Sequence, residues 1–444
     1  MLPTFPGGMH VHDGKELTKD RAVKAATVPP LVIVPLSQHL GAPCEAIVKK
    51  KDAVKRGQPV GEAKGFVSSP VHSPVSGVVR DVVAAPHASG GKVQSVLIEN
   101  DGKDDPFPGV DEETDPGGLS REQMIERVRA AGIVGLGGAT FPAHVKLSPP
   151  KDKPIDTVIV NGAECEPLLT CDYRLMVESS ETVVRGGDLV RRIVGAKSLI
   201  LATEDNKADV AELLRKTIAD LRIPDARVMV ARTKYPQGGE RQLIQALLGR
   251  EVPTPRRRGL PMDVGVIVQN VGTCHAIYMA ISRNVPLIER LVTVVGDAVA
   301  EPGNFRVRIG TPVRSLLETT GFRTDPQAIL LGGPMMGAAV YTPEVPVTKG
   351  TSGILVLSSV IDAEPRDCIR CGSCVKVCPA RLTPLDLSLA DEAKRYDLAE
   401  AWHIDDCIEC GCCSYICPAR RPIVQQIRHA KAALRKARSA AKAG

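Results

Sequence analysis

The chain has 444 residues, which suits about three domains, and its 43% hydrophobic and 24% charged residues exclude an intrinsically disordered protein. A net charge of +6 with only 3% aromatic residues argues against nucleic-acid binding, which needs concentrated positive charge and rings that stack on bases. No apolar run approaches the roughly 18 residues of a membrane helix, and the first residues lack an apolar signal segment, so we expect the 13 cysteines to stay reduced in the cytosol.

Residues 31–100 are rich in β-branched residues, glycine and proline, and predict a domain of short strands, with runs at 31–34 and 78–83. The stretch 71–79 resembles half of a biotinyl/lipoyl-type barrel-sandwich hybrid. A swinging-arm carrier would need a lysine at the hairpin tip, but the nearest upstream lysine, Lys64, has neither the expected flanks nor the expected offset. We therefore expect a structural or docking domain.

A helix is predicted after the linker at 101–118, which is crowded with Asp, Glu, Pro and Gly. Ser120 and Gln123 form a capping-box pattern in front of apolar residues at helical spacing, and Gly132 ends the segment. The helix should therefore cover 121–131.

A glycine-rich loop follows at 135–146. The missing side chains of Gly135, Gly137 and Gly138 would let backbone N–H groups approach a phosphate, and Lys146 adds positive charge. Such a run by itself is also typical of a tight turn.

Buried strands alternate with helices in the next segment, which predicts a wound α/β domain. The strands are expected at 157–160, 198–201, 228–230 and 264–268, with helices at 208–221 and 240–248. Ligands in such sheets lie at the carboxyl ends of the strands. The polar, glycine-bearing loops 161–167, 235–240 and 269–273 follow three strands, and together they predict a nucleotide pocket.

Two cysteine runs near the C-terminus share the C-x2-C-x2-C-x3-C-P spacing of bacterial ferredoxins. In that spacing the fourth cysteine ligates the other cluster. One [4Fe–4S] cluster would then take Cys368, Cys371, Cys374 and Cys417, and the other Cys407, Cys410, Cys413 and Cys378. Structural zinc is the alternative, but paired C-x2-C sites leave the repeated third and fourth cysteines unexplained.

The remaining cysteines are expected to be non-ligands: Cys412 interrupts the second run, and small buried hydrophobes are expected at Cys44, Cys165, Cys171 and Cys274. The last 19 residues, 426–444, form a basic tail whose spacing permits an amphipathic helix. Docking on an acidic partner or anionic lipid competes there with a merely solvated tail.

Taken together, these motifs resemble the C subunit of Rnf-type electron transport complexes over nearly the whole chain. The matching stretches are residues 5–10, 65–77, 132–147, 161–176, 235–242, 302–304 and 332–337 and the two cysteine runs, in that order. The central domain is also similar to the NADH-binding flavoprotein subunit of respiratory complex I. Residues 292–321 resemble the β-grasp-like domain that follows the flavin domain in both families.

The resemblance implies an NADH-dependent oxidoreductase subunit in which FMN converts the two electrons of a hydride into single electrons for the clusters. No side chain would act as a catalytic acid or base. The residues implied around FMN and NAD(H) are Gly135, Gly137, Gly138, Phe141, Lys146, Asn161, Glu164, Glu166, Tyr235, Gly238, Glu240, Asn270 and Thr273. Three positions depart from the complex I pattern, namely Thr140 in place of glycine and Ala163 and Gly239 in place of acids.

The implied fold is a multidomain α/β protein. Its parts are a barrel-sandwich hybrid with linker at 1–115, a wound α/β FMN and NADH domain at 116–285, a β-grasp-like (SLBB-type) domain at 286–350, an α-helical two-cluster ferredoxin-like domain at 360–425 and the basic tail. The implied partners are NADH, the other subunits of a membrane-embedded complex and, through them, ferredoxin, with the chain peripheral on the cytoplasmic face of the inner membrane. Two alternatives stay open: an iron–sulfur adaptor without nucleotide binding, and a flavin and iron–sulfur reductase of a soluble acceptor such as cobalamin.

Overall fold

The computed structural model describes residues 1–254, 259–360 and 364–443. The N-terminal part of the chain forms strands that, apart from the first, pair antiparallel. They are β1 (Lys24–Ala25), β2 (Leu31–Pro35), β3 (Glu45–Ala46), β4 (Ala53–Val54), β5 (Pro59–Glu62), β6 (Val71–His72), β7 (Gly77–Pro86) and β8 (Lys92–Asn100).

Two small sheets, in the orders β2-β8-β7-β4 and β3-β5-β6, enclose a core of valines that includes the fully buried Val32, Val60 and Val96. The predicted strands at 31–34 and 78–83 are confirmed. The amine of Lys64 forms ion pairs with Glu45 at 3.0 Å and Glu62 at 3.5 Å. Lys64, which the sequence analysis rejected as a carrier attachment point, is therefore paired with carboxylates.

The central domain is a four-stranded parallel sheet, in the order β11-β10-β9-β12, with helices packed on it. Its elements are α1 (Arg121–Ala130), α2 (Ala143–Lys146), β9 (Thr157–Asn161), α3 (Cys171–Glu178), α4 (Ser180–Val194), β10 (Ser198–Glu204), α5 (Ala208–Leu221), β11 (Ala226–Ala231), α6 (Glu240–Leu248), β12 (Val266–Asn270) and α7 (Val271–Arg283).

The predicted capping box is present, since the Ser120 hydroxyl accepts from the Gln123 N–H and the Gln123 side chain accepts from the Ser120 N–H. The last predicted strand starts two residues late, because a 3-10 helix occupies Pro261–Val264. Helices α4 and α7 pack closely at Gly186, where a Cβ would lie 1.9 Å from the Cys274 carbonyl oxygen. The backbone of Cys274 is thus part of a helix contact, and its side chain is buried, as expected of a small hydrophobe.

A second sheet, in the order β1-β14-β13-β17-β15-β16, follows the central domain and recruits β1 from the N-terminus. Its other elements are β13 (Glu289–Val295), β14 (Gly303–Arg308), α8 (Val313–Thr320), β15 (Ala328–Leu331), β16 (Ala338–Ala339) and β17 (Gly353–Leu357). Because β17 lies between β13 and β15 in the middle of this sheet, the expected domain end at residue 350 falls too early.

The C-terminal domain is helical, with α9 (Ser373–Val377), α10 (Pro384–Glu392), α11 (Tyr396–Ala401), α12 (Cys412–Tyr415) and α13 (Ile423–Ala443). The expected boundary between a cluster domain at 360–425 and a tail at 426–444 is wrong, because α13 runs through it. Residues 361–363 and 444 of those two ranges lie outside the described residues.

The apolar side of α13 is not available to a membrane. Ile423, Ile427, Ala430 and Leu434 are buried in the core of the C-terminal domain. Several basic residues of α13 pair within the chain, Arg428 and Lys431 with Glu409 and Arg438 with Glu400 and Asp405. α13 is therefore a packed helix and not a merely solvated tail. Further 3-10 helices cover Lys15–Leu17, Pro116–Gly118, Asp205–Lys207 and Ile404–Asp406. Among the described residues, every helix is too short or too polar to span a lipid bilayer.

Candidate functional site

The three predicted loops meet at the carboxyl edge of the central sheet. Asn161 and Asn270 end the neighbouring strands β9 and β12 and lie opposite each other. The Asn161 amide donates to the Gly238 carbonyl at 2.8 Å, which joins the first loop to the second. The predicted convergence of these loops is therefore confirmed.

The glycine-rich loop is tied to the start of α7. The Leu136 N–H donates to the Thr273 hydroxyl at 2.9 Å, and the Asn270 side-chain oxygen caps α7 by accepting from the Gly272 N–H at 2.8 Å. The loop closes on itself through the Gly135 N–H and the Phe141 carbonyl at 2.8 Å. These hydrogen bonds fix the glycine-rich loop beside the positive end of a helix, where the helix dipole favours an anion.

Glycine is needed in this loop for space as well as conformation. Gly137 and Gly138 are exposed, Gly138 has a φ of +117°, and a Cβ on Gly137 would lie 3.3 Å from the Asn270 Cβ. Thr140, which stands where complex I has glycine, has a φ of +47°. This left-handed backbone explains why glycine suits the position.

Lys146 and Glu240 face each other across the site mouth, with 2.5 Å between the ammonium nitrogen and a carboxylate oxygen. Both side chains are part-exposed. The positive charge expected of Lys146 is therefore already paired, and a bound phosphate would share it with Glu240.

Glu164 is turned inward to cap α3. Its carboxylate accepts from the Asp172 N–H at 2.7 Å and the Tyr173 N–H at 3.2 Å, and lies 3.9 Å from the Lys15 ammonium. Burial raises the pKa of Glu164 to about 7, while Lys15 opposes the shift. Its carboxylate supports the loop that carries it instead of lining an open pocket.

Two buried lysines support the same loop, and the sequence analysis did not identify them. Lys207 donates to the Ala163 carbonyl at 2.6 Å and pairs with Glu204 at 3.3 Å. Lys15 donates to the Glu166 carbonyl at 3.1 Å. Isolated lysines carry no local sequence signal, because their partners come from elements far away along the chain.

Glu166 faces the second sheet. Its carboxylate accepts from the Met335 and Met336 N–H groups, both at 2.8 Å, and Gly333 is required beside it because a Cβ there would lie 2.1 Å from the Glu166 Cγ. Burial raises the pKa of Glu166, and the two N–H donors oppose that rise. The resemblance implied that Glu166 faces NADH, whereas in this structure its carboxylate anchors the loop at 332–337.

Tyr235 connects the central domain to the cysteine domain. Its buried hydroxyl donates to the Cys410 carbonyl at 2.8 Å. Its backbone exchanges two hydrogen bonds with Met9, while the neighbouring Gly8 N–H donates to the Val377 carbonyl at 2.8 Å. The side chains of Met9, Tyr235, Val377, Cys410 and Cys412 form one buried cluster.

Gln237 lies two residues after Tyr235 and is fully buried. Its side-chain amide has no hydrogen-bond partner among the described residues. Buried amides are normally satisfied, so this group calls for a ligand or water. The glycine-lined loop, the helix start and this amide fit a phosphorylated cofactor such as FMN.

The cysteines are grouped as the ligand exchange predicts. Burial, and then the neighbouring thiols of Cys407, Cys410 and Cys378, raise the pKa of Cys413 to about 12. Burial raises the pKa of Cys374, and the nearby Cys417 thiol adds to the rise. Cys378 therefore lies beside the first three cysteines of the second run, and Cys417 lies beside Cys374 of the first run.

The two cysteine runs also share a local backbone conformation. Arg370 and Glu409 donate their N–H groups to the thiols of Cys368 and Cys407, at 3.3 and 3.4 Å, and each has a left-handed backbone. Cys378, Cys407, Cys410, Cys412 and Cys413 contribute to the lining of a small recess with apolar walls. Thiolate donors in a dry recess with N–H···S bonds fit a [4Fe–4S] cluster. Cys371, by contrast, is exposed.

This combination of a wound nucleotide-type domain and a ferredoxin-type cysteine domain defines a class, the flavin and iron–sulfur electron-transfer proteins. Four family models match the chain in the expected order. They are the RnfC barrel sandwich hybrid domain at 3–103, the Nuo51 FMN-binding domain at 128–279, the SLBB domain at 291–339 and the 4Fe-4S dicluster domain at 360–418.

Relatives that match nearly the whole chain identify the family within this class. The chain is 46% identical to the C subunit of the proton-translocating ferredoxin:NAD(+) oxidoreductase complex of Clostridium ljungdahlii, over 97% of this chain and 94% of that protein. It is 47% identical to the Na(+)-translocating counterpart of Acetobacterium woodii, over 96% of both chains. The chain therefore belongs to the RnfC family, the C subunits of ion-translocating ferredoxin:NAD(+) oxidoreductase complexes.

Among solved structures, the chain has a looser likeness to an NAD+-reducing [NiFe]-hydrogenase in its H2-reduced state. The TM-score is 0.49 at 21% sequence identity, over 66% of this chain and 57% of the other.

Proposed function

We propose that this chain is the electron-input subunit of an ion-translocating NAD:ferredoxin oxidoreductase complex. It passes electrons between NAD(H) and a membrane-bound redox chain with the help of FMN and two [4Fe–4S] clusters. The names of the full-length relatives and the FMN-binding and dicluster family matches support this function. The observation that carries it is the hydrogen bond from Tyr235 of the nucleotide loop to the carbonyl of Cys410.

When bound, FMN would exchange one hydride with NAD(H) and single electrons with iron–sulfur clusters. The side chains around the site position and shield the cofactor. The residues proposed to hold FMN and NAD(H) are Gly135, Gly137, Gly138, Phe141, Lys146, Asn161, Glu164, Glu166, Tyr235, Gly238, Glu240, Asn270 and Thr273.

These residues are proposed to act in two ways. The backbone of the glycine loop and the start of α7 would bind the phosphate, with Lys146 as the cation. Glu164, Glu166 and Tyr235 have their polar atoms engaged within the protein and would act by fixing the walls of the site.

The two cysteine sets would occupy different positions on the electron path. The set that includes Cys410 is largely buried and touches Tyr235, so its cluster is proposed to be nearer the flavin. The set that includes Cys371 is more exposed, so its cluster is proposed to pass electrons out of the chain.

The partners would be NADH, the membrane subunits of the complex and, through them, ferredoxin. We place the chain as a peripheral subunit on the cytoplasmic face of the inner membrane. Its place in the complex would depend on protein contacts, since the apolar side of α13 is already buried.

Anaerobic purification and cluster reconstitution test this function. FMN should copurify or rebind, NADH should bleach its absorbance, and both clusters should then give the electron paramagnetic resonance signals of reduced [4Fe–4S]. A chain with two clusters that binds neither flavin nor NADH would be the adaptor of the alternative hypothesis, and the proposed function would be wrong.

A further inference from the structure

An exposed surface surrounds the first cysteine run, and we call it the exit face. Its apolar members are Ile369, Val375 and Tyr415, whose residues are 68%, 43% and 60% exposed. Each lies within two residues of a cysteine of the set Cys368, Cys371, Cys374 and Cys417. Exposed apolar side chains beside a redox centre indicate a contact with another molecule.

Four exposed cations lie within three residues of a cysteine of this set along the chain: Arg366, Arg370, Lys376 and Arg420. Within the described part of the chain, none of their side chains makes a hydrogen bond or ion pair. The basic residues Arg428, Lys431 and Arg438 of α13 are all paired with carboxylates. The positive charge of α13 is therefore partly neutralised within the chain, whereas the four exit-face cations have no such partner among the described residues.

Backbone hydrogen bonds bring the segments that carry Arg366 and Arg420 together. The Arg366 N–H donates to the Ala419 carbonyl at 2.9 Å, and the Arg420 N–H donates to the Cys417 carbonyl at 3.0 Å. Cys417 in turn lies beside Cys374. Only two carboxylates, Glu364 and Asp367, occur at 364–381, so the exit face keeps an excess of positive charge.

We infer that the exit face is the docking surface for an acidic electron-carrier domain of another subunit. This inference rests on the proposed function. Unpaired cations steer an acidic partner toward the face, and the three apolar side chains exclude water once contact is made. A lipid headgroup would satisfy the cations but offers no electron acceptor next to the exposed Cys371, which is why a protein partner is favoured.

The test uses the full chain with both clusters reconstituted and a photoreduced plant-type [2Fe–2S] ferredoxin, an acidic protein, as the probe. Stopped-flow absorbance follows cluster reduction by the probe at low and high salt. The matched variants reverse four charges, on the exit face (R366E, R370E, K376E, R420E) or at exposed sites elsewhere (K92E, K103E, K151E, R215E).

The exit-face variant should react about tenfold or more slowly at low salt and lose its salt dependence, while the control variant keeps the rate of the unmodified chain. Equal iron content and equal reduction by dithionite must show that both variants hold their clusters. Equal rates for both variants would overturn the inference.

A second measurement addresses the membrane alternative. The unmodified chain should stay unbound when floated with phosphatidylglycerol vesicles. Flotation that the exit-face variant abolishes would assign the face to lipid and overturn the inference. Neither measurement uses NADH, so failure of flavin bleaching would remove the proposed function separately.

Discussion

At the scale of the residue, Tyr235 shows how one side chain joins two redox sites. Tyr235→Phe removes the hydroxyl that donates to the Cys410 carbonyl, a bond worth about 1 kcal/mol in a buried setting. We expect cluster reduction by NADH to slow several-fold, and more than flavin reduction, in anaerobic stopped-flow experiments. Tyr341→Phe removes a similar bond, to the Gly91 carbonyl on the surface, and should leave both rates unchanged.

Lys349 is a second residue whose chemistry depends on burial. Its ammonium donates to the Pro70 and Gly132 carbonyls, both at 2.7 Å, and burial lowers its pKa from 10.5 to about 7, with the Cys44 thiol opposing the shift. His39 and His72 also lie near it. This lysine therefore connects the N-terminal domain, the central domain and the second sheet.

The direction of the pH effect follows from the lowered pKa. Between pH 7 and 10.5 the unfolded chain binds a proton that the folded chain releases, so stability should rise with pH across this window. From pH 7 to 9 the gain is on the order of 2 kcal/mol. Thermal unfolding should show this rise in the unmodified chain and in Lys216→Met, an exposed control, and a much smaller rise in Lys349→Met. Equal pH slopes in all three chains would contradict the assignment.

At the scale of the element, α13 brings charge to the buried cysteine set. The Lys431 ammonium donates to the Cys407 carbonyl at 2.6 Å and pairs with Glu409 at 2.9 Å. A nearby positive charge favours the reduced cluster. Lys431→Met should therefore lower the reduction potential of one cluster by tens of millivolts, roughly, in a potentiometric titration followed by electron paramagnetic resonance. Lys436→Met, exposed on the same helix, should leave both potentials unchanged.

The exchange of the fourth cysteine ligand between the two runs can be tested by substitution. If the fourth ligand is exchanged, Cys378→Ala should damage the cluster bound by the second run. Its spectrum after reduction should then match that of Cys410→Ala and differ from that of Cys371→Ala. A spectrum that matches Cys371→Ala instead would mean that each run holds its own cluster.

Local sequence signals predicted the helices, the strands and the cysteine motifs well. The capping box of α1, the strands of the central sheet and the spacing of the cysteines all depend on residues close together in the chain. The apolar spacing of α13 was also recognised, but not its partner. Periodicity shows that a helix has an apolar side and says nothing about which element covers it.

At the scale of the whole molecule, contacts between distant segments determine the site, and the sequence did not reveal them. Tyr235 and Glu166 were expected around the nucleotide, whereas their polar atoms bind Cys410 and the loop at 332–337. The N-terminal Gly8 and Met9 lie between the nucleotide loop and the cysteine domain. Resemblance identified these positions as important, and only the tertiary structure shows what they touch.

The central claim is that electrons enter at the nucleotide site and pass the buried cysteine set before the exposed one. Rapid freeze-quench electron paramagnetic resonance after mixing the anaerobic chain with NADH tests it most directly, with Cys371→Ala and Cys410→Ala as reference chains. The account predicts that NADH still reduces the remaining cluster in Cys371→Ala and that the remaining cluster in Cys410→Ala is reduced far more slowly. Fast reduction in Cys410→Ala and slow reduction in Cys371→Ala would contradict it.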